Sequence, residues 1–314
     1  MGGTGRPTLL YMHLHILKGR IHLDSRSTCR DAWLISHISG GHMRAWQRMS
    51  ATLVVVAAAS SPALAAATPD DATPPDTLAA CPAGTVGVPV LLIHGTNADV
   101  ERSLGPTRQA LADDGRCVYG PDFDSTRPLS ESVDYFAAVV EHIRAVNGVD
   151  VIDVVGKSQG GLIARAVSLK FAGQQSNPIR NLVTVSGPHQ GVTEFAGSTN
   201  LNPVALLVPG LPAAAHDMLA GSEFLTELDA DGMTAPGVRY TLIGTRTDRI
   251  VTPYTSSFID APNTTDILIQ DGCPEDLAGH LAESADPRTI DLTLNALDPV
   301  RHHTVRCVAN DDQR

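Results

Sequence analysis

The chain has 314 residues, of which 43% are hydrophobic and 18% are charged. This composition is typical of a globular protein with a sizeable core and excludes a disordered chain. The formal net charge is −11. Because an acidic surface repels a phosphate backbone, we expect no nucleic-acid partner.

The first feature along the chain is a leader-like segment at residues 43–65. Two arginines precede a short apolar run, and the segment closes on Ala63-Leu64-Ala65. A basic start, a short apolar stretch and an A-x-A site are typical of a secretory signal peptide. We therefore predict secretion, with cleavage after Ala65. Residues 1–42 are interpreted as a non-native upstream extension, and the alternative is a long leader that is removed with the signal peptide.

A flexible arm is predicted at residues 66–80, which are rich in proline and polar residues. One folded domain is predicted over residues 81–314, where strands and helices alternate. Strands are predicted at 88–93, 116–119, 149–155, 179–185, 238–243 and 266–269. Helices are predicted at 104–114, 130–146 (with Ser130 as the cap), 162–171 and 290–297. This alternation indicates an α/β fold, with a mostly parallel central sheet and helices on both faces.

A nucleophile motif follows the strand at 149–155. The chain runs directly into Gly156-Lys157-Ser158-Gln159-Gly160, and a helix begins at once. On such a strand–turn–helix junction, G-x-S-x-G is typical of a sharp turn that exposes a serine hydroxyl at a helix N-terminus. The alternative is a chance match in a glycine-rich chain. We predict that Ser158 is a catalytic nucleophile.

A serine nucleophile needs a base, and the base needs an acid to orient it. On this kind of fold the acid and then the histidine follow the serine along the chain. Asp248 follows the strand at 238–243, and His280 lies in the loop after the last strand, so these are the predicted acid and base. The rival residues are His189, His216, His302, His303, Asp153, Asp229, Asp231, Asp260 and Asp276.

The negative oxygen formed during such a reaction needs hydrogen-bond donors. One is the backbone N–H of Gln159, the residue after the nucleophile. The other is predicted at Thr96, in the loop His94-Gly95-Thr96 after the first strand. The alternative interpretation of this loop is a turn that only ends the strand.

These segments resemble the secreted bacterial class 2 lipases and, more distantly, the yeast lipase B type. The resemblance covers residues 81–307 and is carried by VPVLLIHGT, VDVIDVVGKSQGGLIARAV, LVTVSGPHQG, GSEFLTEL, VRYTLIGTRTDRIVTPYTSSF and LIQDGCPEDLAGH. It implies an α/β-hydrolase that cleaves acyl esters, including triacylglycerols. It also implies Ser158, Asp248 and His280 as the triad, with Thr96 and Gln159 as oxyanion donors.

Two features depart from that family. Lys157 stands where relatives usually have histidine, and we interpret it as a replacement that points into the structure. The alternative is a cation that alters the electrostatics of the sharp turn at residues 156–160, which is called the elbow below. The apolar segment 200–210 is either a lid or acyl-binding wall, or an ordinary packed loop.

Cleavage after Ala65 removes Cys29 and leaves four cysteines, which allow three pairings. Their positions along the chain favour Cys81–Cys117 and Cys273–Cys307 disulfides, the second of which would tether the loop of His280 to the C-terminal tail. No cysteine or histidine cluster has zinc spacing and no EF-hand pattern is present. We expect no metal and no cofactor.

The sequence therefore predicts a secreted, monomeric serine esterase or lipase with an ester or lipid substrate and transient contact with a lipid interface. Two alternatives remain. One is an acyltransferase or polyester hydrolase that uses the same triad. The other is a catalytically inactive hydrolase fold that binds lipid or cell-envelope material.

Overall fold

The computed structural model describes residues 14–17, 20–23, 75–195, 198–199, 211–298, 300–301 and 303–312. The chain divides into two compact units, Met1–Ala59 and Ser60–Arg314. The first unit contains an antiparallel hairpin of β1 (Leu14–Leu17) and β2 (Arg20–Leu23). The predicted signal peptide, the arm up to residue 74 and the apolar segment 200–210 lie outside the described residues.

The second unit is built on a six-stranded sheet in which every pairing is parallel. The strands of the sheet are β3 (Val90–Ile93), β4 (Val118–Tyr119), β5 (Ile152–Lys157), β6 (Ile179–Val185), β9 (Arg239–Gly244) and β10 (Thr264–Leu268). A separate short hairpin consists of β7 (Glu194–Phe195) and β8 (Ser198–Thr199). The sheet order is β10-β9-β6-β5-β3-β4, and β7 pairs with β8 in the hairpin. The predicted parallel sheet is confirmed.

Helices cover both faces of the sheet. They are α1 (Val100–Asp113), α2 (Leu129–Asn147), α3 (Gln159–Lys170), α4 (Ala213–Asp217), α5 (Glu223–Asp229) and α6 (Pro287–Leu297). Alternate residues of β3 enter two cores: Leu91 and Ile93 pack with α2 and α3, whereas Val90 and Leu92 pack with α1 and α6. Such two-sided burial explains the unbroken apolar runs of the central strands. No helix in the described part of the chain is long and apolar enough to cross a membrane.

The start of α2 differs from the sequence-based expectation. Ser130 was predicted as its cap, but the helix begins at Leu129, and the capping position is Pro128, which offers no side-chain hydrogen bond. Asp217 of α4 accepts the N–H of Leu129 at 2.7 Å instead. The prediction of the cap was wrong because a distant residue of the fold satisfies the end of the helix, and local sequence does not reveal such a contact.

The C-terminal tail is bound to the loop that carries His280. The structure joins Cys273 to Cys307 and Cys81 to Cys117, the pairing that the sequence favours. Backbone hydrogen bonds extend the first of these attachments, from Leu277 N–H to the Asn310 carbonyl at 2.6 Å and from Gly279 N–H to the Asp312 carbonyl at 2.7 Å. A disulfide and two backbone hydrogen bonds therefore attach the tail to the loop of His280.

Removing the Cys273–Cys307 disulfide should loosen this loop selectively. We expect C273S/C307S to lower the free energy of unfolding by about 2–4 kcal/mol, measured by urea denaturation. Hydrogen exchange of the amides at 276–282 should accelerate in the same variant. The matched control is C81S/C117S, whose disulfide spans a similar separation of 36 rather than 34 residues. Equal exchange at 276–282 in both variants would contradict the local role.

Candidate active site

Ser158 occupies the turn between β5 and α3. Its φ of 55° and ψ of −125° lie in a region that residues other than glycine rarely adopt. Its N–H donates to the Val185 carbonyl of β6 at 2.9 Å, so the neighbouring strand holds the strained residue. A backbone strained in this way costs on the order of 1–3 kcal/mol and is typical of functional positions. The turn presents the serine at the N-terminus of α3.

The turn needs two glycines because its backbone lies very close to neighbouring backbone atoms. A Cβ atom on Gly156 would lie 2.4 Å from the Gly160 carbonyl oxygen, and one on Gly160 would lie 2.1 Å from the Ile93 carbonyl oxygen. Both separations are far below van der Waals contact. The glycines of the G-x-S-x-G motif therefore permit α3 to approach β3 and β5 closely.

Ser158, His280 and Asp248 form a continuous hydrogen-bonded series. Ser158 Oγ lies 2.9 Å from His280 Nε2, and His280 Nδ1 lies 2.7 Å from Asp248 Oδ2. The other carboxylate oxygen of Asp248 accepts the N–H groups of Ile250 and Val251, both at 2.8 Å. Because an ionised carboxylate only accepts hydrogen bonds, this arrangement favours the proton on Nδ1 and leaves Nε2 free to accept the serine proton.

The loops that carry Asp248 and His280 are bound to each other. The hydroxyls of Thr245 and Thr247, in the turn after β9, donate to the Ala278 carbonyl at 2.7 and 2.8 Å. Ala278 lies two residues before His280. The distance between the imidazole and the carboxylate is therefore set by backbone and threonine contacts as well as by their own hydrogen bond.

The environment favours a neutral histidine and an ionised aspartate. Burial lowers the pKa of His280, the positive charge of Lys157 lowers it further, and Asp248 opposes both effects. Burial alone would raise the pKa of Asp248, but the hydrogen bond and charge of His280, with the charge of Lys157, lower it overall. At neutral pH the imidazole is therefore in the form that accepts a proton.

Thr96 and Gln159 lie together beside the serine. The Thr96 hydroxyl donates to Gln159 Oε1 at 2.6 Å, and Gln159 Nε2 donates to the Ser125 carbonyl at 3.0 Å. A Cβ atom on Gly95 would lie 3.2 Å from that of Ser158, so the Thr96 loop packs against the elbow. Neither backbone N–H, of Thr96 or of Gln159, meets an acceptor among the described residues.

The rival histidines have other surroundings. His189 is fully buried, its Nε2 contacts the Thr184 hydroxyl at 3.0 Å, and burial followed by the charge of Arg165 lowers its pKa to about 3. His216 lies in α4, and the N–H of His303 donates to the side chain of Asn295. His302 lies outside the described residues.

Among the rival acids, Asp153 lies at the opposite end of β5 from Ser158, where Arg180 and Asn181 donate to it. Asp229 is paired with the buried Arg165. Asp276 shares the loop of His280, but one of its oxygens accepts the N–H of Ala278 rather than the imidazole.

The sequence reasoning missed the partner of Lys157. The lysine side chain is 5% exposed and points into the structure, and its Nζ lies 3.3 Å from Oε2 of the fully buried Glu283. The same carboxylate oxygen accepts the Ser186 hydroxyl. A charged residue at the end of an apolar strand was the available signal, since such a residue needs a buried partner. The sequence did not indicate which acid it would be.

Metal-ligand side chains come together in the described ranges at Cys273, Glu275 and Cys307. Both cysteines are joined in the disulfide. They therefore offer no thiolate to a metal.

Comparisons with known proteins agree with this fold. Residues 89–228 match the family model described as palmitoyl protein thioesterase. Lipase B of Aspergillus fumigatus is similar in structure, with 21% identity, a TM-score of 0.58, and coverage of 70% of this chain and 57% of that chain. A Bacillus licheniformis lipase in its mature form has 13% identity and a TM-score of 0.47, over 61% of this chain and 88% of the other. No curated protein matches the chain.

By its sheet and helix arrangement the chain has the α/β-hydrolase fold. This is the fold that the resemblance in the sequence implied. The chain spans 57% of the length of the Aspergillus lipase.

A methyl group at Gly160 should disrupt the elbow. We expect G160A to lower the free energy of unfolding by about 3 kcal/mol, because the added carbon meets the Ile93 carbonyl. The matched control is G173A, where nothing lies within 4 Å of the added carbon and a change within about 0.5 kcal/mol is expected. Thermal and urea denaturation measure both variants, and equal stability would contradict the close approach.

Proposed function

We propose that this protein is a secreted serine hydrolase of carboxylic esters that acts on acyl esters, including triacylglycerols. The observation that carries the proposal is the unbroken contact from Ser158 Oγ through His280 to Asp248. The lipase similarity and the resemblance of the sequence to class 2 lipases support the substrate class.

The geometry is suited to a two-step acyl transfer. His280 Nε2 takes the Ser158 proton as Oγ attacks the ester carbonyl, and Asp248 stabilises the resulting imidazolium. The imidazolium then protonates the departing alkoxide, which leaves an acyl group on Ser158. In the second step His280 deprotonates a water molecule, which attacks the acyl carbon, and the proton returns to Ser158 as the fatty acid leaves.

The negative oxygen of each tetrahedral intermediate is stabilised by the N–H groups of Thr96 and Gln159. The Gln159 N–H is the first of helix α3, where the helix dipole adds a partial positive charge. The Thr96 hydroxyl is already donated to Gln159, so we assign it a positioning role. Preorganised donors of this kind contribute about 3–4 kcal/mol each to transition-state stabilisation.

Secretion and a monomeric state are part of this proposal. Two disulfides join the four cysteines of the described chain, and such bonds persist mainly in oxidising compartments. The signal peptide predicted at 43–65 supports the same location. A monomer in transient contact with a lipid surface meets the needs of a lipase.

Acyl thioester hydrolysis is a second candidate. The match of residues 89–228 to the palmitoyl protein thioesterase model favours it, and the same serine could attack a thioester carbonyl. A palmitoyl ester and a palmitoyl thioester with otherwise matched leaving groups distinguish the two activities by their kcat/KM values. Labelling by a fluorophosphonate distinguishes either from an inactive fold.

Replacing the nucleophile tests the proposal directly. We expect S158A to reduce p-nitrophenyl ester hydrolysis by at least about 10⁴-fold and to abolish fluorophosphonate labelling, because the substitution removes the hydroxyl that attacks the substrate. Unfolding by urea should be little changed. S130A, an exposed serine on α2, is the matched control and should retain activity. Activity retained by S158A would refute the role of Ser158.

The pH dependence follows from His280. Its pKa is lowered from the ordinary value of 6.5, mainly by burial, and only the neutral imidazole accepts the serine proton. The value of kcat/KM should therefore be constant near neutral pH and fall as the pH drops through a midpoint below 6.5. A soluble ester assayed from about pH 4 to pH 8 measures this limb. A midpoint above 6.5 would contradict the assignment.

A further inference from the structure

A buried cation immediately precedes the candidate nucleophile in the chain. Lys157 is the last residue of β5, and its side chain is 5% exposed. Lysine is almost never buried without a partner, because the ammonium loses the hydration that stabilises it. An apolar residue at the end of this strand would avoid that loss.

The partner of Lys157 belongs to the loop of the base. Glu283 lies three residues after His280, and its N–H donates to the Gly279 carbonyl at 2.9 Å, which closes a turn around the histidine. Its Oε2 accepts from both Lys157 Nζ and the hydroxyl of Ser186, at the end of β6. The contact therefore joins the strand of the nucleophile to the loop of the base, separately from the bond between Ser158 and His280.

The ammonium is incompletely neutralised. Burial raises the pKa of Glu283 to about 7, although Lys157 and the Ser186 hydroxyl oppose this effect. Its second oxygen, Oε1, is buried and has no partner among the described residues. In mildly acidic solution the carboxyl group of Glu283 is consequently neutral and no longer balances the charge of the lysine.

Two titratable groups act on the imidazole, and a third contacts Lys157. Asp248, in the turn after β9, binds Nδ1, Lys157 approaches from β5, and Glu283 lies on the same loop. Asp248 favours the charged imidazole, and Lys157 disfavours it.

We propose that Lys157 is an electrostatic positioning residue for His280: its buried ammonium, one residue before Ser158, places a positive charge near the base and, through Glu283, holds the loop of the base against the strand of the nucleophile. This inference rests on the proposed function, since it assigns His280 the role of base. It predicts an ester hydrolase that remains active at a lower pH than the triad alone would allow.

The test compares two variants that differ only at position 157, where one has the lysine and the other has an uncharged side chain of similar length. E283Q keeps an acceptor for Lys157 and imitates the neutral carboxyl group of the acidic range. K157M/E283Q then removes the ammonium without leaving a buried carboxylate unpaired, which K157M alone would do. We expect the acid midpoint of kcat/KM to stay near the wild-type value in E283Q and to rise by about one pH unit in K157M/E283Q.

A direct titration separates this inference from the proposed function. In the S158A background, NMR of the histidine ring follows the pKa of His280, with H280N used to assign the signal. It should rise by about one unit from S158A/E283Q to S158A/K157M/E283Q. Absence of ester hydrolysis by the wild-type protein would refute the proposed function, whereas this titration would still test the charge effect.

Two results would overturn the inference. One is the same His280 pKa and the same acid midpoint in both variants, with only a lower melting temperature or a lower plateau rate, which is the signature of a purely structural lysine. The other is a rise in E283Q as large as that in K157M/E283Q, which would assign the effect to Glu283.

Discussion

The close approach of α3 to β3 and β5 is the constraint on which the site depends. It requires glycine at positions 156 and 160 and holds Ser158 at a positive φ. A parallel sheet places the carboxyl ends of all its strands at one edge, so the loops that follow β3, β5, β9 and β10 meet at that edge. The elbow lifts Ser158 into that meeting point, where the loop of Thr96, the turn of Asp248 and the loop of His280 surround it.

The surrounding loops are positioned by contacts among themselves. Thr245 and Thr247 bind the loop of His280 to the turn of Asp248, and the Cys273–Cys307 disulfide binds the same loop to the tail. The loop that carries the imidazole is thus attached both to the turn of Asp248 and to the C-terminal tail. Precise placement of a base matters because small displacements of reacting groups strongly slow a reaction.

Much of the fold was predictable because its signals are local. The strand at 179–185 was predicted with its observed bounds, and Gly148 ends α2 in the left-handed conformation as a glycine after a helix is expected to do. The G-x-S-x-G motif placed Ser158 for the same reason. The cap of α2 could not be predicted, since it comes from Asp217, 88 residues away in sequence. Glu283 likewise lies 126 residues from Lys157 and belongs to no local pattern.

The buried charged residues at the two ends of β5 differ in their hydrogen-bond partners. At its start, Asp153 accepts hydrogen bonds from Arg180 and Asn181, and Arg116 lies 3.9 Å away. At its other end, Lys157 contacts a carboxylate that has one oxygen without a partner in the described part of the chain, near an imidazole that changes its charge in the proposed reaction. Both oxygens of Asp153 therefore accept hydrogen bonds, whereas one oxygen of Glu283 has no partner among the described residues. Charges near an ionisable group shift its protonation state. Sequences depart from local rules chiefly where function requires it. A buried lysine at the end of an apolar strand is such a departure, which agrees with the positioning role proposed for it.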